Sequence, residues 1–163
     1  MYKKIRDILP NNLKISLQLD EYNISIYDID KLPDNIYSLN FGDTFNYKLT
    51  KLPNNLVVLK FGGLFDRYLH NLPTTIRFLS FGIFYNKSIE KYPSSLKYLH
   101  FGSHYNQKID NLPTNLKELT LGRSFKKKVN MLPSNLEIIR LHKDIDINKI
   151  NIPNKVKIIR FNN

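Results

Sequence analysis

LPTTIRFLSFGIFYNKSIEKYPSSLKYLHFGSHYNQKIDNLP runs from Leu72 to Pro113 and states one pattern twice, with Pro73, Pro93 and Pro113 spaced 20 residues apart. Outward from it the same mark continues in both directions. All 8 prolines fall at Pro10, Pro33, Pro53, Pro73, Pro93, Pro113, Pro133 and Pro153, one interval of 23 followed by intervals of 20. A fixed period of roughly 20 to 50 residues is the signature of a solenoid or array, in which each unit stacks on its neighbours.

Other residues keep step with the prolines. Three positions on stand Ile36, Leu56, Ile76, Leu96, Leu116, Leu136 and Val156; six on stand Leu39, Leu59, Leu79, Leu99, Leu119, Ile139 and Ile159. Eight on come Phe41, Phe61, Phe81, Phe101, Leu121, Leu141 and Phe161, followed at once by Gly42, Gly62, Gly82, Gly102 and Gly122. Twelve on come Phe45, Phe65, Tyr85, Tyr105, Phe125 and Ile145, then Asn46, Asp66, Asn86 and Asn106, with Lys126 and Asp146 breaking the last column.

The unit is therefore LPxNLxxLxFGxxFNxxIxx. Its LxxLxF segment ends in the alternation of a half-buried strand, with Leu99 inward, His100 outward and Phe101 inward. Glycine directly after it permits a positive φ or a tight turn. Proline, which cannot donate to a ladder, is expected on the opposite, extended side of the coil. The Asn column is either a plain turn-former or a side-chain ladder onto the backbone of the next coil. One coil cannot bury enough surface to stand alone, so stability must come from stacking. The predicted fold is a β-rich solenoid with little helix, its 20-residue right-handed coils sharing one parallel sheet on the concave face.

This repeat resembles the FNIP repeat, a leucine-rich-repeat relative found in social amoebae and in giant DNA viruses of amoebae. The residues that carry the resemblance are LPNNLVVLKFGGLFDRYL from Leu52, LPTTIRFLSFGIFYNKSI from Leu72, YPSSLKYLHFGSHYNQKI from Tyr92, LPTNLKELTLGRSFKKKV from Leu112 and FGDTFNYKL from Phe41. The sequence departs from the pattern with Lys126 for Asn, His142 for Gly and Lys149 at an aliphatic position. Residues 32–163 form the tandem repeats, and residues 1–31 read as a degenerate N-terminal capping coil. Members of the family often carry an N-terminal F-box. Residues 1–31 lack that pattern, so a ubiquitin-ligase adaptor role would need the box on a separate chain.

In a coil of this kind the outward strand positions line the concave face and usually meet the partner, a host or viral protein. The predicted protein-binding set is Val58, Arg77, Phe78, Lys97, Tyr98, Lys117 and Ile138. Val58, Phe78 and Tyr98 would form an apolar stripe about 5 Å apart per coil, flanked by cations, as interface anchors commonly are. Strand propensity alone also favours such residues.

Formal charge is +11, and it is uneven: residues 1–80 hold 10 basic and 8 acidic side chains, residues 81–163 hold 15 and 6. A basic patch of Arg123, Lys126, Lys127, Lys128, Arg140 and Lys143 is the candidate for an alternative role, binding of a polyanion or nucleic acid. Against it, no nucleic-acid module is present, and the excess of Asn, Ile and Lys (20, 19 and 19 residues) fits A/T-rich codons. In FKKKV, Phe125 and Val129 are inward residues and the lysines are the turn between them.

Catalysis, cofactors and metals find little support. There is no Cys, and His70, His100, His104 and His142 occupy four different places in the coil. No carboxylates stand in register as an acid and base pair. Without cysteines, a signal-peptide core or a run of roughly 20 apolar residues, the expected setting is intracellular and away from membranes, the host cytoplasm if the source is viral. At the other end, Lys155, Lys157 and Arg160 would guard a strand edge by charge, or two copies would pair there as a homodimer.

Overall fold

A computed structural model describes residues 15–19, 29 and 31–162. The expected cap at 1–31 lies outside the described residues except for its strand at 15–19 and residues 29 and 31. Eight strands follow one another along the chain: β1 (Ile15–Leu19), β2 (Ile36–Phe41), β3 (Val58–Lys60), β4 (Phe78–Ser80), β5 (Tyr98–His100), β6 (Glu118–Leu121), β7 (Ile138–His142) and β8 (Lys157–Phe161). They form one sheet in chain order, every neighbour parallel. Helix contributes a 3-10 turn at Ile147–Lys149 and the helical backbone at Ile29.

The sheet register is the proline ruler made physical. Val58 pairs with Phe78, Phe78 with Tyr98, Tyr98 with Glu118 and Glu118 with Ile138, each step 20 residues. Leu39, Leu59, Leu79, Leu99, Leu119 and Ile139 lie beside one another and are fully buried or nearly so. At about 2 kcal/mol for each buried aliphatic side chain, such columns make stacking favourable where a lone coil is not.

Aromatic residues fill the rest of the core as two facing stacks. Phe41, Phe61, Phe81 and Phe101 step along one column at 5.2, 5.6 and 5.5 Å between ring centroids. Phe45, Phe65, Tyr85, Tyr105 and Phe125 step along the other at 6.0, 6.0, 6.0 and 6.5 Å. Within a coil the two rings lie almost parallel, 3.9 Å apart for Phe61 and Phe65 and 3.6 Å for Phe101 and Tyr105.

The glycines open a tight turn, as expected, with Gly42 O accepting from Phe45 N (3.2 Å) and Gly122 O from Phe125 N (3.2 Å), but they do so without a positive φ. Among the described residues the positive values belong to Asn71 (55°) and Asn111 (63°). A Cβ on Gly82 would stand 2.2 Å from the carbonyl oxygen of Gly62, and one on Gly102 would stand 2.0 Å from that of Gly82. Glycine is required because successive coils touch backbone to backbone there.

Proline also sits elsewhere than expected. Its carbonyl accepts from the amide three residues on, as in Pro53 to Leu56 (3.2 Å) and Pro113 to Leu116 (3.0 Å). It opens the turn leading into each strand, where its fixed φ helps and its missing N–H costs nothing.

Two side-chain ladders tie coil to coil. The Asn column is a ladder: Asn46 Oδ1 accepts from Asp66 N (3.0 Å), Asp66 Oδ1 from Asn86 N (2.8 Å), Asn86 Oδ1 from Asn106 N (2.9 Å), and Asn106 Oδ1 from Lys126 N (2.9 Å). With no acceptor on its side chain, Lys126 ends the series. The second ladder runs from the polar residue two places after proline to the previous coil: Thr75 Oγ1 donates to Asn54 O (2.8 Å), Ser95 Oγ to Thr74 O, and Asn115 Nδ2 to Ser94 O (3.0 Å).

The last coil differs. The 3-10 turn moves the inward position by one, so Ile150 is buried where Lys149 stood in the 20-residue register, and Ile150 bridges Val129. Ile139 then pairs with Ile158 instead of Ile159, and Ile159 and Phe161 are half-buried rather than buried.

Candidate protein-binding face

Alternation along each strand turns Leu79 and Leu99 inward, so Phe78, Tyr98 and their column neighbours must point out of the sheet. The 20-residue register then sets the outward residues side by side. The rings of Phe78 and Tyr98 lie 6.2 Å apart, tilted by 33°, and Tyr98 is 41% exposed. The Lys60 ammonium stands 5.1 Å above the Phe78 ring, within cation–π range. Beside this pair is an open depression of about 410 Å³ whose lining includes Phe78, Tyr98, His100, Thr120, Arg140 and Phe161.

Charge on this face is partly tied up. Arg140 Nε bonds Glu118 Oε1 at 2.5 Å, and Lys117 Nζ bonds Glu137 Oε1 at 2.7 Å. Lys60, Arg77 and Lys97 have no carboxylate among the ion pairs of the described residues. Burial lowers the His100 imidazole below its ordinary 6.5, outweighing the Glu118 carboxylate, so this ring is neutral near pH 7.

All seven residues expected to bind protein lie on outward strand positions or directly before them. The structure brings Val58, Phe78 and Tyr98 into one run. Ile138 stands apart, separated from Tyr98 by Glu118, and Lys117 is engaged with Glu137.

The basic set does not converge on one place. Arg140 is on the sheet face, held by Glu118. Arg123, in the turn after β6, pairs with Asp144 at 3.0 Å, and Lys143 is exposed in the turn after β7. Lys126, Lys127 and Lys128 lie together in the turn beyond Phe125.

A second apolar cluster went unread in the sequence. Leu64, Ile83 and Phe84, in the turns after the glycines, are 46%, 50% and 43% exposed, and His104 meets Phe84 edge-on at 4.8 Å. The signal was there: other coils place Asp43, Thr44, Ser103, Arg123 and Ser124 at these positions. Among the described residues no group of three or more His, Cys, Asp or Glu could hold a metal ion, and no helix is long and apolar enough to cross a membrane.

Parallel strands in chain order, one per coil, with side-chain ladders between them define a β-solenoid scaffold of the leucine-rich-repeat type. Within that class the chain belongs to the FNIP repeat family, whose model matches residues 25–63, 85–124 and 105–144. Among solved structures it is similar to CroV588, described as a novel circular LRR protein, with 36% identity and a TM-score of 0.74. The likeness covers 81% of this chain and 22% of CroV588, so the chain spans about a fifth of that protein's length. No curated protein matches significantly.

Proposed function

We propose that this chain is a non-enzymatic scaffold that binds a protein through the outward face of its sheet, centred on Phe78 and Tyr98. The observation that carries this reading is the outward aromatic pair: two large rings, 6.2 Å apart, Tyr98 exposed and Phe78 half-buried, on the sheet beside an open depression. Aromatic side chains on a fixed frame bind with little entropy loss and commonly anchor interfaces. The carboxylates nearest the depression support a binding rather than a catalytic role, since Glu118 and Glu137 are each held by a cation.

The double variant Phe78→Ala with Tyr98→Ala is predicted to lose partner capture from a lysate of the source cell while keeping its circular dichroism spectrum and unfolding midpoint. Capture equal to the wild type would overturn the reading. A second reading, polyanion binding, is favoured by one observation: Lys126, Lys127 and Lys128 share a turn, and none has a carboxylate among the described ion pairs. It predicts steep salt dependence and loss of binding when the three lysines become glutamine.

A further inference from the structure

The chemistry of the partner is written in the charges around the aromatic pair. Around the Phe78 and Tyr98 rings stand Lys60, Arg77 and Lys97, cations on three successive coils without a carboxylate partner among the described ion pairs. On the following coils Arg140 and Lys117 are already neutralised by Glu118 and Glu137. Charge along the face is thus asymmetric: cations without a carboxylate partner on the coils of β3 to β5, and internally paired charge on those of β6 and β7. A cationic partner segment would meet Lys60, Arg77 and Lys97 unshielded. An uncharged one would leave them unpaired beneath it, which costs affinity once water is excluded.

The depression has the features of a side-chain receptor. Phe78, Tyr98 and Phe161 contribute ring surface, while Ser80, Thr120, a half-buried His100 and the Glu118–Arg140 ion pair make up its polar part. An open depression of about 410 Å³ has room for a large side chain such as Phe, Tyr or Leu. A bare polyanion would satisfy the cations and leave the rings in water. The occupant that satisfies both is a protein segment that joins an apolar anchor to acidic residues on one side.

We infer that the sheet face recognises a short acidic segment carrying one aromatic or large aliphatic side chain, the carboxylates meeting Lys60, Arg77 and Lys97 and the anchor filling the depression beside Tyr98. This assignment rests on the reading of the sheet face as the binding surface. It adds a definite polarity: the acidic part of the segment lies over the coils of β3 to β5 and the anchor toward β6.

The test is selection of a random short-peptide display library on the intact chain, in parallel with the Phe78→Ala, Tyr98→Ala double variant. The expected result is enrichment of peptides that place an aromatic or leucine residue next to several Asp or Glu, absent on the double variant. A peptide so selected should bind roughly tenfold more weakly to Lys60→Glu or Lys97→Glu, and its affinity should fall as salt rises. Peptides lost on the double variant but without an acidic excess would overturn this inference while leaving the sheet-face reading intact. Enrichment unaffected by the double variant, or no enrichment at all, would overturn both. Lys60 and Lys97 lie at the surface, so a matching unfolding midpoint separates loss of binding from loss of fold.

Discussion

Tyr85 shows what a single atom does in a stack of repeats. Its column is phenylalanine at Phe45, Phe65 and Phe125 and tyrosine at Tyr85 and Tyr105, all of them buried. The Tyr85 hydroxyl is buried without a hydrogen-bond partner in the structure, and burial raises its ionisation well above the ordinary range. Tyr105 is pushed up to about 12 by the same cause. An orphaned buried hydroxyl costs about 1 to 3 kcal/mol, and the neighbouring coils prove that a phenyl ring fits this column. Tyr85→Phe is therefore predicted to stabilise the chain by about 1 kcal/mol in urea unfolding; a loss of that size would mean that the hydroxyl has a favourable partner. Period alone made the inward position of Tyr85 legible. Its missing partner was not legible, because a hydroxyl's neighbours depend on the distance between coils.

At the level of the coil, two contacts set the spacing, and the sequence announced them unequally. Asparagine recurring after the aromatic was readable as a possible ladder, and Asn86 bears it out by accepting from Asn106 N and from the Gln107 side chain. Asn86→Ala should orphan those donors and cost about 1 to 2 kcal/mol, measured by chemical unfolding; a change below a few tenths would show that water substitutes freely. Glycine recurring after the strand was readable as the start of a turn, which it is, but Gly82 is needed for a further reason: a Cβ would press against the Gly62 carbonyl at 2.2 Å. Backbone cannot move aside as a side-chain tip does. Gly82→Ala is predicted to cost about 3 kcal/mol or more, with a broadened unfolding transition as the stack parts at that coil. Near-normal stability would show that the coils can slide. The final coil was the hardest to read, since one 3-10 turn at Ile147–Lys149 exchanges Lys149 for Ile150 at the inward position. No fixed-period count anticipates a one-residue slip.

Over the whole molecule, each column of the repeat has its own task. Inward columns hold the stack together, glycines and ladders set its pitch, and the outward strand columns are left to vary. Those outward columns hold the aromatic pair, the free cations Lys60, Arg77 and Lys97, and the carboxylates that neutralise Arg140 and Lys117. The fold was legible because its rule is repeated coil after coil. The candidate site was legible in part, because Val58, Phe78 and Tyr98 form an apolar run in a readable outward column. The depression beside them was not legible, since Phe161 and Thr120 belong to other coils and reach it only through the folded sheet. The central claim, that the sheet face around Tyr98 is the binding surface, is tested most directly by photo-crosslinking. A photoreactive phenylalanine analogue is placed at Tyr98 in one preparation and at Met131, 83% exposed and away from the strands, in another. Irradiated with a lysate of the source cell, the chain labelled at 98 should give a discrete higher-mass adduct and the chain labelled at 131 none; an adduct from 131 with none from 98 would contradict the account.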